Sequence, residues 1–128
     1  MKAVYIAAPL SAPTREDIEE NRARASRWVA WAAARGVAPV ADWIILTGQV
    51  EETPENRARG LAIDCALVER CEEVWLVGGR VTPGMEVERV HAQGRGIPVY
   101  DLTPLGPEPP TIPVRSVAGL AAALGEET

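Results

Sequence analysis

Gly84-Met85-Glu86-Val87-Glu88 is the stretch of this sequence with the clearest chemical content. It follows an apolar, strand-like run from Glu73 to Gly78 and a short loop from Gly79 to Pro83, and it opens a segment of helical character. Glu88 therefore stands early in a helix that begins where a buried strand ends. In open α/β sheets, ligands bind at such strand ends. A helix N-terminus favours negative charge, so this placement predicts that Glu88 stays ionised. An ionised, positioned carboxylate suits attack on the anomeric carbon of a sugar. It forms a glycosyl ester that water or a second nucleophile resolves, while a neighbouring acid manages the protons. Asp64, inside Leu61-Ala62-Ile63-Asp64-Cys65-Ala66-Leu67, is the candidate for that acid, because an unpartnered carboxylate is rarely buried among apolar neighbours. Two such carboxyl groups side by side titrate as a coupled pair, expected here with one raised and one low. Tyr5, between Val4 and Ile6, reads equally as a core residue with a satisfied hydroxyl and as a donor to the site.

The elements that must position these residues alternate along the chain. Lys2 to Ala8 is a short apolar strand, and Pro9 to Pro13 a loop. Thr14 caps a long helix with Glu16 and Asp17 in its first turn, Trp28 and Val29 on its apolar face, and Gly36 at its end. Val37 to Ala41 is a second strand, which Pro39 assigns to a sheet edge. Asp42 to Glu52 reads as a long connection. Thr53-Pro54-Glu55 starts a helix that runs to about Cys71. Glu73 to Gly78 is the third strand, Pro83 or Gly84 starts the third helix, Gly94 and Gly96 close it, and Ile97 to Asp101 is the fourth strand. Residues 103–113 form a proline-rich linker, Ile112 to Val117 a short edge strand, and Val117 to Leu124 a terminal helix. This alternation predicts one α/β domain over residues 1–128: a three-layer, flavodoxin-like or Rossmann-like parallel sheet of four to five strands with helices on both faces.

Composition narrows the function. A chain of 128 residues with 47% hydrophobic and 24% charged residues supports one core of ordinary globular type. Its net charge of -5 argues against a nucleic-acid partner. No segment is long and apolar enough to cross a membrane, and the N-terminus lacks a signal-peptide pattern. Cys65 and Cys71 are not in a metal or redox spacing, which predicts reduced thiols and a cytoplasmic protein. His91, three residues after Glu88, is the sole histidine. Without further ligands it makes no metal site, so no metal or cofactor is expected. No Gly-x-Gly-x-x-Gly follows the first strand and there is no Walker loop.

Tyr5-Ile6-Ala7-Ala8-Pro9-Leu10, the mid-chain Asp64, and Val74-Trp75-Leu76-Val77 followed by Gly84 to Glu88 together resemble the nucleoside 2-deoxyribosyltransferase-like family, which includes deoxynucleoside 5'-monophosphate N-glycosidases. The resemblance spans roughly Met1 to Leu102. It implies cleavage of the N-glycosidic bond of a (deoxy)nucleoside or its 5'-monophosphate, with transfer of the sugar to a base or to water. It implies Glu88 as nucleophile, Asp64 as the residue that handles the proton of the leaving base, and Tyr5 as the donor that orients Glu88. Thr82 matches a hydroxyl residue on the sugar 5' oxygen or phosphate, and the strand-end positions Ala8 and Pro9, with Gly84 and Met85, complete the substrate-binding set. Where nucleotide hydrolases of the family carry glycine, serine and a basic residue, this chain has Ala8, Pro9 and Ser11, leaving Arg15 or Arg80 to supply the positive charge. Assembly into a homodimer or homotetramer is also implied, with the second helix or the Asp42 to Glu52 segment near the interface; Trp28, Val29, Trp31 and Ala32 read either as a face for a second copy or, with Trp75, as structural residues packed on their own sheet.

Other readings stand beside these. Thr82 reads as a helix cap, Trp43 as a base-stacking platform or as packing, and Arg57 and Arg59 as a solvated face. Val77-Gly78-Gly79 with Gly84 and Glu88 faintly resembles the glutamate motif of cytokinin-activating phosphoribohydrolases, whose glycines are more tightly spaced. A nucleotide-binding sensor without turnover is the alternative of a different class.

Overall fold

A computed structural model describes residues 1–111 and 116–126. Four short strands form one all-parallel sheet: β1 (Ala3–Ala7), β2 (Ala38–Val40), β3 (Glu73–Leu76) and β4 (Val99–Asp101), in the order β2-β1-β3-β4. The helices are α1 (Arg15–Ala34), α2 (Trp43–Gln49), α3 (Pro54–Val68), α4 (Pro83–Gly94) and α5 (Val117–Glu126), with a 3-10 turn at Thr103–Leu105. The architecture is a three-layer α/β sandwich of flavodoxin-like strand order.

Strand alternation sorts the core into two layers. Val4, Ile6, Trp75 and Val77 face Trp28, Trp31 and Ala32 of α1, with Leu120 and Leu124 of α5 against them. Tyr5, Ala7, Val74 and Leu76 face the other way, onto Trp43 of α2, Val68 of α3, and Met85 and Ala92 of α4. Trp28 and Trp31 are therefore core residues, stacked edge-on with ring centroids 5.4 Å apart. Of the two readings open to these tryptophans, packing on their own sheet is the one found: with Trp75 they fill the layer between α1 and the sheet.

The local signals hold where side chains meet nearby backbone. Thr14 Oγ1 accepts from Asp17 N–H at 3.0 Å, and Thr53 Oγ1 accepts from Asn56 N–H at 3.1 Å, each closing a helix N-terminus. β2, with Pro39, is an edge strand. Three segments differ from expectation. Asp42 to Glu52 contains α2 rather than an open connection. Its Trp43 is buried, and Arg22 Nε donates to the Ile44 carbonyl at 2.7 Å, so contacts remote in sequence hold this short helix. α3 ends at Val68, so Cys71 lies beyond it in the turn to β3; both cysteines are free. The proline-rich stretch is partly fixed: Trp28 Nε1 donates to the Pro107 carbonyl at 2.8 Å, and Glu108 is 2.6 Å from Arg27. The strand expected over Ile112 to Val117 falls mainly outside the described residues. No helix among the described residues is long and apolar enough to cross a membrane.

Candidate active site

From β1 the chain passes to β2 on one side, then returns to β3 on the other. The sheet therefore changes direction between β1 and β3, and the carboxyl ends of these strands are the switch point at which open α/β sheets bind ligands. Ala7 pairs with Leu76 there, and the Val77 amide donates to the Ala7 carbonyl at 2.9 Å. Gly78 and Gly79 then turn with φ of +98° and +92°, a region that disfavours side-chain-bearing residues. A Cβ on Gly78 would stand 2.6 Å from Pro9 Cδ, and one on Gly79 3.0 Å from the Pro107 nitrogen. The two glycines thus let the β1 loop and the 106–107 segment close on the end of β3, and they aim the chain into α4.

Three ionisable side chains from the elements around this switch point converge. The Tyr5 hydroxyl of β1 donates to Glu88 Oε2 of α4. Asp64 of α3 adjoins both. All three are buried: Tyr5 is 0% exposed, Glu88 5% and Asp64 9%. Asp64 Oδ1 is sealed from solvent without a hydrogen-bond partner.

The charges of this cluster differ from the sequence expectation. Glu88 is pushed up to about 8, first by burial and further by the neighbouring Asp64, against the opposing hydrogen bond from Tyr5. Asp64 is pushed up to about 6, chiefly by burial, with its hydrogen bonds to Tyr5 and Glu88 opposing and the Asp42 charge adding. Both carboxyls are raised, so the prediction of one raised and one low, with Glu88 ionised, is corrected. Glu88 lies beyond the first turn of α4, where the helix field has faded, and Glu86 holds the acidic first-turn position instead. No Arg, Lys or His is among the charges that act on either carboxyl. Between about pH 6 and 8 the pair holds one proton. Burial and the two carboxylates push the Tyr5 hydroxyl far upward, so it remains a donor. Burial also raises the Cys65 thiol beside them, which keeps it protonated and a poor nucleophile.

The remaining expected residues are spread around this centre. Thr82 is the N-cap of α4, its Oγ1 accepting from Met85 N–H at 3.3 Å while its own O–H stays available to a ligand. Met85 is buried in the layer that holds Tyr5, and Gly84 lies in the first turn of α4. Pro9 is buried against Gly78, with Ala8 half-buried beside it. Trp43 packs in the same core layer, and its indole N–H donates to the Ile6 carbonyl at 3.0 Å, which leaves it packing rather than presenting a face to a base. His91 turns from Glu88 to Glu69, with Nε2 and Oε1 2.9 Å apart. Arg15 is committed to Glu19 at 2.8 Å. Arg80 is exposed in the β3–α4 loop with no ion pair among the described residues. Cavities of about 740 Å³ between the starts of α1 and α3 and of about 360 Å³ between β4 and α5 lie elsewhere; neither is lined by Tyr5, Asp64 or Glu88. Sequence reasoning passed over Asp42, an exposed carboxylate at the carboxyl end of β2. Its one signal was an acidic residue directly after a strand.

Residues 2–102 match the model of a domain of unknown function, DUF7768. The chain belongs to this family. The matched span takes in all four strands and each of Tyr5, Asp42, Asp64 and Glu88, and stops before α5. No curated protein matches this DUF7768 chain.

Proposed function

We propose that this DUF7768 domain is an N-glycosidase or deoxyribosyltransferase acting on a (deoxy)nucleoside or its 5'-monophosphate through a glycosyl-Glu88 intermediate. The observation that carries the reading is the meeting of Tyr5, Asp64 and Glu88 at the switch point of a parallel sheet, with the Tyr5 hydroxyl on Glu88. Perturbed carboxyls set at strand ends are the arrangement acid–base and nucleophilic chemistry demands.

The single proton on the carboxyl pair defines the steps. Glu88 is the more basic of the two, so the reactive arrangement is the less populated one with the proton on Asp64, in which the Tyr5 O–H stabilises Glu88 as the carboxylate. Glu88 attacks the anomeric carbon, the bond from that carbon to the base nitrogen breaks, and the electron pair leaves with the base. Asp64 delivers its proton to the departing base. In the second half, Asp64, now a carboxylate, takes a proton from water or an incoming base. That nucleophile attacks the anomeric carbon and releases Glu88. Burial of the pair excludes water and strengthens each of these interactions. Thr82 O–H and Arg80, at the start of α4, are the groups of this chain suited to the sugar 5' oxygen or its phosphate.

The same reading places the protein in the cytoplasm, as a homodimer or homotetramer; the mass in solution tests the assembly. Incubation with a panel of nucleosides and 5'-monophosphates, with and without a second free base, tests the activity. Release of base supports a hydrolase and a new nucleoside supports a transferase. Absence of both across the panel refutes the proposal.

A further inference from the structure

The two helical layers meet solvent differently. On the α1 side the outward residues are charged and tied to one another or to the proline-rich stretch: Arg15 and Arg22 pair with Glu19, and Arg24 and Arg27 with Glu108. The other layer leaves apolar side chains in water. Apart from Met1, every exposed large hydrophobic residue among the described residues belongs to α2, α3, α4 or the turns at their ends: Ile45, Val50, Ile63, Val81, Val87 and Val90. Ile45 is 69% exposed and Val90 54%. α2 packs on α3 and α3 on α4, so these residues lie along one continuous row of helices. Single exposed apolar residues need no explanation, but a set confined to one layer marks a surface that something covers.

α3 stands in the middle of this row, and its two sides are inverted. The residues it buries are Asp64 and Val68. Its outer side presents Ile63 and the exposed Ala58, Ala62 and Ala66, each alanine one helical turn from the next. A helix that keeps a carboxyl group inside and apolar residues outside gains from the outer side only when that side too leaves water.

The charges at the ends of that outer side indicate what covers it. Glu55 lies in the first turn of α3, and Arg70 follows its C-cap. Both are exposed, and neither makes an ion pair among the described residues. Arg70 bonds only to its own helix, at the Ala66 carbonyl, 2.8 Å away. A second α3, turned antiparallel by a two-fold axis through Ala62, would set Ala58 on the partner's Ala66 and bring Glu55 to the partner's Arg70, once on each side of the axis. A two-fold contact demands this self-complementarity. It also needs a small residue on the axis, where a side chain meets its own copy and the helices must approach closely.

We infer that this face joins two copies of the chain, with α3 lying antiparallel on the partner's α3 about Ala62 and the exposed residues of α2 and α4 extending the contact on either side. The inference deepens the assembly stated above by naming its surface, and it is independent of the reaction. It sets the interface directly behind the carboxyl pair, because Asp64 and Glu88 are on the inner sides of the helices whose outer sides the partner covers.

The test is the mass in solution, by light scattering at low micromolar concentration, with sedimentation for the dissociation constant. The proteins are the wild type, Ala62→Arg, Arg70→Glu and the double variant Glu55→Arg/Arg70→Glu. All three positions are exposed, so the variants should fold, and urea unfolding of each checks it. The wild type should be a dimer. Ala62→Arg places two guanidinium groups against each other on the axis and should be a monomer. Arg70→Glu opposes carboxylates at both ends of the contact and should weaken the dimer at least about tenfold at low salt. Adding Glu55→Arg reverses both members of each pair and should restore the wild-type constant. A monomeric wild type, which would leave the face to a different protein, overturns the inference. So does a dimer that survives Ala62→Arg, or a charge swap that fails to restore association. Base release by a monomer would sink this inference and leave the N-glycosidase reading standing. A dimer that responds to the variants as stated but cleaves no nucleoside would do the opposite.

Discussion

Replacing Glu88 by glutamine tests the site through stability as well as turnover. Glu88 is displaced from its ordinary value of 4.5 to about 8, principally because it is buried. The folded protein thus holds this proton more tightly than the unfolded chain does. The stability contributed by the protonated group is fully present below about pH 4.5 and is lost as pH rises through about 8. Each pH unit between the two values is worth about 1.4 kcal/mol, so ionising Glu88 in place costs on the order of 3–5 kcal/mol. Glutamine fills the same volume, still accepts the Tyr5 hydroxyl through its carbonyl oxygen, and cannot ionise. Glu88→Gln should therefore abolish base release and yet raise stability, by little near pH 5 and by several kcal/mol near pH 8.5. Only the decline due to Asp64 would remain, and it ends near pH 6. Urea unfolding followed by tryptophan fluorescence at about pH 5.5, 7 and 8.5 measures both proteins under two-state conditions. A variant no more stable than wild type at the highest pH, or a difference that does not grow with pH, would show that Glu88 is not a buried acid. The argument for a shared proton would fall with it.

Other predictions concern the same geometry. The pH–rate profile should be bell-shaped with limbs near 6 and 8, because below the first both carboxyls are protonated and no nucleophile exists, and above the second no acid remains; a rate that climbs steadily through pH 9 would contradict this. Tyr5→Phe removes the hydroxyl that lowers both carboxyls, so both limbs should move to higher pH and kcat should fall roughly 10- to 100-fold, the worth of one hydrogen bond to a charged group; unchanged kinetics would assign Tyr5 to packing alone. Asp64→Asn should slow release of poor leaving bases far more than of activated ones, and an equal loss on both would remove Asp64 as the proton donor. Gly78→Ala should destabilise the fold by more than about 1 kcal/mol, because it combines a φ of +98° with a Cβ 2.6 Å from Pro9 Cδ; equal midpoints in urea would refute the account of the turn.

The features written into the sequence are the ones that depend on near neighbours. Thr14 and Thr53 cap their helices because the side chain and the amide it serves are three residues apart. The alternation of Val4, Tyr5, Ile6 and Ala7 sends successive side chains to opposite faces of any strand they form, and Pro39 confines its strand to an edge wherever the sheet lies. The strand–helix alternation carried the fold class, the place of Glu88 after a buried strand singled it out, and the grouping of Tyr5, Asp64 and Glu88 came from the family that the segments holding them resemble. Tertiary structure decided what depends on distant parts of the chain. α2 has little helical signal of its own and exists because Trp43 reaches Ile6 and Arg22 reaches Ile44. The choice between an inward and an outward face for Trp28 and Trp31 was made by Trp75, far along the chain, which comes to rest against Trp31. The charge state of Glu88 could not be read from its place on a helix. It is set by how deeply α3, α4 and β1 bury it and by the second carboxyl they bring beside it, and desolvation outweighs the helix field beyond the first turn.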